Sequence, residues 1–76
     1  MRMTVKINNS LNGTLSDDHA YGVPVVIIGN KKYTPEELKR IVPGYKIRPA
    51  SVAKGPKGII QKVMLDNAKK AGYETL

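Results

Sequence analysis

The chain has 76 residues with no cysteine and one histidine, and its 13 basic and six acidic residues give a net charge of +7. A chain of this length is expected to form one small domain that buries only about 60% of its unfolded surface. Disulfides are excluded, and a single histidine argues against a structural zinc site, which takes about four ligands. Close packing, a homodimer or a bound partner is then the expected source of stability.

The N-terminal segment and the apolar runs bear on the compartment. The first ten residues contain no continuous apolar segment like that of a signal peptide, which has about 7–15 such residues. The longest apolar run, residues 23–28, is far shorter than the roughly 20 residues of a membrane helix. The lack of cysteine fits a reducing compartment. We therefore expect a cytoplasmic protein that does not associate with membranes.

The first predicted element is a strand over residues 3–7. Met3, Val5 and Ile7 alternate with Thr4 and Lys6, which is the period-two pattern of a half-buried strand. The three apolar side chains should face a core, and the two polar ones should face solvent.

The next segment, residues 9–22, is polar and rich in turn residues. The Asn12–Gly13 pair favours a hairpin turn because both residues tolerate positive φ. The residues on either side are poor strand formers, so a mobile loop is an equal alternative. We expect a mobile loop over 9–22, since long connections without secondary structure are often functional or disordered.

The chain becomes apolar and β-branched from Val25 to Ile28. Such a run is typical of a central strand that is covered on both faces. Gly29–Asn30 has glycine first, as a type II′ turn prefers. This pair predicts a hairpin whose second strand covers residues 31–33.

The clearest local pattern begins the first helix. Thr34 is an N-cap residue, Pro35 suits the first helical position, and Glu37 completes a capping box three residues after the cap. Pro43 predicts that the helix ends at Val42. Alternating apolar and cationic residues over 45–48 then predict a further strand.

A second helix is predicted from residue 57 to a C-terminal cap at Gly72. Its apolar stripe would consist of Ile60, Val63, Met64, Asn67 and Ala71, with Ile59 and Ala68 at the edge. The predicted element order is β-β-β-α-β-α. It indicates an α+β domain in which two helices cover a small mixed or antiparallel sheet of three to four strands.

Side chains suited to catalysis cluster only in the segment from Ser16 to His19, which also contains Asp17 and Asp18. Catalytic triads are assembled by the fold from separate segments, and adjacent polar residues of this kind are common in solvated loops. The chain has neither of the glycine-rich patterns of nucleotide-binding loops. We therefore expect a non-enzyme without a cofactor or a metal.

The strongest candidate for a binding site is the basic segment 46–62, which has five cations and no acidic residue. Its glycines would let a phosphate approach the backbone, and the positive end of the second helix lies here. The candidate nucleic-acid-binding residues are Lys46, Arg48, Lys54, Gly55, Lys57, Gly58 and Lys62. The alternative is a solvated linker whose lysines only keep a small protein soluble.

Two short segments resemble parts of known families. Residues 22–38, GVPVVIIGNKKYTPEEL, resemble the last third of a thioredoxin or glutaredoxin fold. That resemblance implies a hairpin followed by a helix and, because CxxC is absent, no redox activity. Residues 38–50, LKRIVPGYKIRPA, are similar to a helix-hairpin-helix DNA-binding element at Pro43, Gly44, Tyr45 and Ala50. The second resemblance implies a phosphate contact near Gly44.

A longer segment, residues 23–57, resembles the small RNA polymerase inhibitors of podophages. The matching points are Val23–Pro24, Pro43–Gly44 and Arg48–Pro49. The resemblance implies a phage-type regulator that binds and inhibits a host protein such as RNA polymerase.

The charge distribution indicates the class of partner. The two cations and two acidic residues among the first 20 residues cancel, so the whole positive excess lies in residues 21–76 and suits an anionic partner. We expect a small DNA- or RNA-binding protein whose cations contact phosphates with little base readout. The alternative is the regulator, bound to an acidic surface of a host protein. A homodimer is left open.

Overall fold

A computed structural model describes residues 1–17 and 23–76. It contains the strands β1 (Arg2–Lys6), β2 (Asn12–Ser16), β3 (Val25–Ile28), β4 (Lys31–Tyr33) and β5 (Arg48–Pro49), and the helices α1 (Pro35–Ile41) and α2 (Pro56–Ala71). The strands form one sheet in the order β4-β3-β2-β1-β5, and each neighbouring pair is antiparallel. The α+β class with two helices is thus confirmed.

The sheet has five strands rather than the expected three to four, and the additional strand is β2. It forms where we expected a mobile loop, so the prediction of an irregular connection is wrong for residues 12–16, while residues 18–22 lie outside the described part. Leu15 is fully buried and lies opposite Met3 of β1 and Val26 of β3. Pairing on both edges and one buried leucine outweigh the weak strand propensity of the segment.

The predicted hairpin turn at Asn12–Gly13 is also wrong, because these two residues begin β2. The chain reverses earlier, where the N–H groups of Ile7 and Asn8 both donate to the carbonyl oxygen of Leu11, at 2.8 and 3.3 Å. Gly13 has a different role. A Cβ there would lie 3.0 Å from the carbonyl oxygen of Ile27, so glycine allows β2 to approach β3 closely.

The hairpin from β3 to β4 and the start of α1 follow the local predictions. Gly29 has a φ of 63°, as the first residue of a type II′ turn requires. The Thr34 hydroxyl accepts the Glu37 N–H at 3.2 Å and donates to the Glu37 carboxylate at 3.1 Å. The helix ends at Ile41, with Val42 as its C-cap, so it is one residue shorter than expected.

The core lies on one face of the sheet, and both helices cover that face. Leu38 of α1 and Met64 and Ala68 of α2 pack with inward-facing strand residues. The other buried members of this cluster are Met3, Val5, Ile7, Leu15, Val26, Tyr45, Ile47 and Tyr73. Among the described residues no helix lies on the opposite face, where Thr4, Asn12 and Lys32 are exposed. We call this second surface the open face.

The segment after α2 returns to the sheet. The Tyr73 hydroxyl accepts the Val26 N–H at 3.2 Å and donates to the carbonyl oxygen of Tyr33, so it bridges two directly opposed residues of β3 and β4. Burial raises the pKa of Tyr73, while the hydrogen bond from Val26 acts in the opposite direction. The phenol is therefore held in its neutral form at the end of the β3–β4 ladder.

The strand predicted over residues 45–48 is shifted toward the C-terminus. Arg48 and Pro49 pair with β1, whereas Ile47 forms an isolated parallel bridge with Thr75. Tyr45 is buried in the core, and its hydroxyl accepts the Glu74 N–H at 3.0 Å. Burial raises the pKa of Tyr45 as well. The residues after α2 thus determine where this strand begins.

Helix α2 is rotated relative to the predicted stripe. Met64 and Ala68 are buried, but Ile59, Ile60 and Val63 are exposed. The side chain of Gln61 explains the rotation, because its amide nitrogen donates to the carbonyl oxygen of Ser51 and its oxygen accepts the Ala53 N–H, both at 3.0 Å. These two bonds hold the preceding loop against a side of α2 that the hydrophobic pattern did not indicate.

Candidate nucleic-acid interface

Side chains alternate between the two faces of the sheet along β1, and this alternation determines which β1 residues lie on the open face. Val5 and Ile7 point into the core, so Thr4 and Lys6 lie on the opposite side. The antiparallel register places Lys6 directly opposite Arg48 of β5 and Thr4 directly opposite Thr14 of β2. Directly opposed residues have Cβ atoms about 4.5–5.5 Å apart. Two cations and two hydroxyls are therefore brought together from three strands.

A third cation joins Lys6 and Arg48 at this edge of the sheet. Lys46 is two residues before Arg48, is exposed, and has its backbone N–H bonded to the carbonyl oxygen of Ile7 at 3.1 Å. Lys46 and Arg48 line a shallow depression of about 210 Å³ together with Asn8 and Asn9. We call Lys6, Lys46 and Arg48 the basic corner.

Hydrogen bonding orders part of this corner. Arg48 donates from Nη2 to the Asn9 side-chain oxygen at 2.8 Å. This bond uses one donor of the guanidinium, which has five. Arg48 is therefore held in place by the β1–β2 turn while keeping donors for an anion.

Acidic residues are missing from the strands. The five described strands contain five cations, Arg2, Lys6, Lys31, Lys32 and Arg48, and no aspartate or glutamate. Glu36, Glu37 and Asp66 belong to the helices, which lie on the other face. Of these cations, Lys6, Lys32 and Arg48 lie on the open face, away from the carboxylates of the helices, whereas Lys31 lies on the helix face beside Tyr33.

The predicted residues of the loop and helix start lie apart from the basic corner. Lys54 is exposed ahead of α2, and Lys57 belongs to α2. Lys57 borders a groove with Met1 and Arg2, whereas Lys62 borders a different depression beside Pro49. The structure therefore divides the seven predicted residues into Lys46 and Arg48 on one side and Lys54, Gly55, Lys57, Gly58 and Lys62 on the other.

The two predicted glycines have different roles. Gly55 has a φ of 70° and its Cβ position is open, so its backbone is accessible to a ligand. A Cβ on Gly58 would lie 2.5 Å from the carbonyl oxygen of Ala53. Gly58 is therefore needed to pack the loop against α2, which accounts for the glycine without a ligand, and its contact with a phosphate stays a prediction.

The start of α2 offers fewer amide donors than predicted. Pro56 has no N–H, and the N–H of Gly58 already donates to the carbonyl oxygen of Gly55 at 3.0 Å. At most the amides of Gly55 and Lys57 remain for an anion. The positive charge of this region is consequently carried by lysine side chains more than by the helix terminus.

Base stacking has no platform on the described part of the open face. Tyr45 and Tyr73 are buried in the core. Tyr33 faces the helices, and the ammonium group of Lys31 lies 5.3 Å from its ring centroid. The surface can therefore contact phosphates but lacks the aromatic side chains on which bases stack in single-strand-binding proteins.

Three other sequence expectations concern a metal, a triad and a membrane segment. Among residues 1–17 and 23–76 there is no group of three potential metal-ligating residues. Of the Ser16–His19 cluster, Ser16 is buried and Asp17 pairs with the Met1 amino group, while Asp18 and His19 lie outside the described residues. No helix in the described chain is both long and apolar enough to cross a membrane.

Sequence reasoning missed Lys6, Thr14 and Lys32 as members of this surface. The alternation around Lys6 correctly predicted that it faces away from the core. Its position opposite Arg48 depends on strand register, which cannot be read from two segments so far apart in the sequence.

Residues 38–50 do not form the helix-hairpin-helix element that they resemble, because Arg48–Pro49 forms strand β5. Comparisons with protein-family models, curated proteins and solved structures find no match for this chain.

Proposed function

We propose that the protein is a non-enzymatic nucleic-acid-binding protein that contacts phosphates with the open face, centred on the basic corner. The observation that carries the proposal is the direct opposition of Lys6 and Arg48 on neighbouring strands. Like charges opposite each other destabilise a sheet. A bound polyanion removes that cost, which explains why two cations occupy facing positions.

The spread of the cations favours a polymer over a small anion. Lys32 lies on β4 at the far side of the sheet from the basic corner. Three strand spacings separate β4 from β1, which corresponds to about 14 Å. Thr4, Thr14 and Ile27 lie between these cations, and the two threonines supply hydroxyl donors for phosphate oxygens. Cations spread over this width match a chain of repeated phosphates.

Lys54, Lys57 and Lys62, with the accessible backbone of Gly55, are proposed as a second contact for the same polyanion. The loop that contains Lys54 leaves β5 toward the start of β1, since the Ala50 N–H donates to the carbonyl oxygen of Thr4 at 3.1 Å. A strand of nucleic acid that crosses the open face would reach these lysines at the edge of the sheet.

The test is a pair of charge reversals with a matched control. Lys6→Glu with Arg48→Glu should abolish binding to labelled duplex DNA and to single-stranded RNA in fluorescence anisotropy. With duplex DNA at two salt concentrations, the loss of two contacts should make the salt slope shallower by about 1.8. Lys54→Glu with Lys57→Glu should weaken binding by a smaller factor.

The control is Lys39→Glu with Arg40→Glu, which makes the same charge change at the end of α1. Urea midpoints show whether each variant is folded. If the control loses as much affinity as the basic-corner variant, net charge alone governs binding and the specific surface is refuted. If the unaltered protein binds neither nucleic acid at low salt, the proposed function is rejected.

A further inference from the structure

Helix α2 carries apolar side chains that are exposed rather than packed in the core. Ile59, Ile60 and Val63 have exposed fractions of 67%, 36% and 52%. Ile59 and Val63 are four residues apart, and Ile60 and Val63 are three apart, so the three side chains are neighbours on one turn of the helix. We call this surface the apolar face of α2.

The local energetics of the helix do not account for these residues. Isoleucine and valine have lower helix propensity than alanine, lysine or glutamate, and they gain nothing from burial while they remain in water. Single exposed apolar residues are common, whereas contiguous ones mark interaction sites. Ile41, at 52% exposure, is an example of an exposed apolar residue outside this patch.

A groove of about 330 Å³ lies beside the apolar face, between α2 and the start of β1. Ile60 forms one of its walls, and the methionines Met1, Met3 and Met64 form much of the rest. Methionine side chains adapt their shape to an incoming apolar group. The ridge and the groove together have the form that an amphipathic helix occupies when it docks.

The charges around this surface indicate the sign of the charge that its binding partner carries. Lys57 borders the groove, and α2 as a whole carries four lysines against one acidic residue, Asp66. A second copy of a chain with net charge +7 would bring like charges together at this surface. An occupant with carboxylates beside its apolar residues would instead complement it.

We propose that the apolar face of α2 and its groove dock an acidic amphipathic helix of another protein. The partner's apolar residues, spaced three and four apart, would cover Ile59, Ile60 and Val63 and enter the groove, while its carboxylates pair with Lys57 and Lys62. This proposal does not rest on the proposed function, because the basic corner lies on the opposite face of the sheet. The two proposals share Lys57 and Lys62 on α2, so a bound peptide should block the second nucleic-acid contact and leave the basic corner accessible. A concave groove favours a protein side chain over a flat lipid surface.

The experiment uses a labelled helical peptide with leucines at positions i, i+3, i+4 and i+7 and glutamates elsewhere. The full chain should bind it in anisotropy titrations, and Ile59→Ser with Val63→Ser should lower the affinity at least tenfold. Lys57→Glu with Lys62→Glu should also weaken binding of this peptide. The same double variant should bind a peptide with lysines in place of the glutamates, which the unaltered protein should not bind. Ile41→Ser is the matched control and should change the affinity less than twofold.

Four outcomes overturn the proposal. The first is failure of the unaltered protein to bind the acidic peptide, and the second is an equal loss in Ile41→Ser. The third is binding to vesicles of anionic phosphatidylglycerol that Ile59→Ser with Val63→Ser abolishes while peptide binding persists, which assigns the surface to a membrane. The fourth is a dimer in sedimentation equilibrium that the same double variant dissociates, which assigns it to a second copy.

Discussion

The open face and the apolar face of α2 are both bordered by cations, but different groups lie between those cations. On the open face Thr4, Thr14 and a single apolar residue, Ile27, lie between the charges, and the threonine hydroxyls can donate to phosphate oxygens. On α2 the neighbours of the lysines are Ile59 and Val63, which gain free energy only by leaving water. Net charge alone therefore says little about the partner, since the groups between the charges select it.

The two surfaces also depend on different supports. The open face requires the central strand β2, which pairs with both β1 and β3. The apolar face of α2 requires the hydrogen bonds of Gln61 to the loop at Ser51 and Ala53 and the close packing at Gly58. Substitutions can therefore disturb both surfaces, one of them or neither.

The largest effect is expected for Leu15→Ala, which disturbs both. Leu15 is fully buried between β1 and β3, so the substitution should lower the free energy of unfolding by about 2–5 kcal/mol. That is a large part of the roughly 4–11 kcal/mol expected for a domain of this size. Urea unfolding measures it, and a change below about 1 kcal/mol would show that β2 does not belong to the core.

Gly58→Ala should disturb only α2. A Cβ 2.5 Å from a backbone carbonyl oxygen forces the loop and helix apart, so we expect a loss of about 1–3 kcal/mol. An uncrowded helical position would instead gain up to about 1 kcal/mol from this change. The sign of the shift in the urea midpoint therefore shows whether the position is crowded. Under conditions where the variant is folded, nucleic-acid affinity should fall no further than in Lys54→Glu with Lys57→Glu, because the basic corner is unchanged.

Tyr73→Phe removes a bridge between α2 and the sheet. The Val26 N–H and the Tyr33 carbonyl lose their hydroxyl partner, which should cost about 1–3 kcal/mol. Burial raises the pKa of Tyr73, so its contribution to stability is complete below about pH 10 and is lost as the pH rises through the raised value. The difference in unfolding free energy between the two proteins should shrink above pH 10; a constant difference would contradict this role.

Thr34→Ala affects neither surface. It removes the hydroxyl that accepts the Glu37 N–H, so the domain should lose about 1 kcal/mol. Both binding activities should be unchanged, because α1 contributes to neither the basic corner nor the apolar face of α2. A lower affinity for either partner would mean that general stability, and not the two surfaces, governs binding.

The smallest effect on stability is expected for Lys6→Thr. Removing one of two opposed cations should raise the unfolding free energy by about 0.2–1 kcal/mol. The same substitution should weaken nucleic-acid binding and leave peptide binding intact. A variant that is more stable but binds DNA and RNA less tightly would show that Lys6 lowers stability while it contributes to binding. A destabilised variant would contradict the like-charge explanation.

Short-range patterns predicted a definite part of this molecule. Thr34, Pro35 and Glu37 determine the start of α1 because a cap bonds only to residues within one turn. Gly29 determines the β3–β4 hairpin because its positive φ is a property of that one residue. These elements were predictable since their causes lie within a few residues of each other.

The candidate site was predictable only in part. Arg48 lies directly opposite Lys6 on β1, which the sequence analysis did not include among the candidates, and the lysines of the following loop lie apart from it. Gly58 was assigned to phosphate binding, but it is required by the carbonyl group of Ala53. Both differences come from contacts between separate segments.

The sequence by itself determined the α+β class, the capped first helix, the hairpin and the positive charge, because these follow from local backbone preferences and from composition. The tertiary structure decided that β2 is a strand, which rotation α2 adopts and which cations lie opposite each other. The physical reason is range. Strand register, the bonds from Gln61 to the preceding loop and the burial of Leu15 are interactions between surfaces that exist only after the chain has folded.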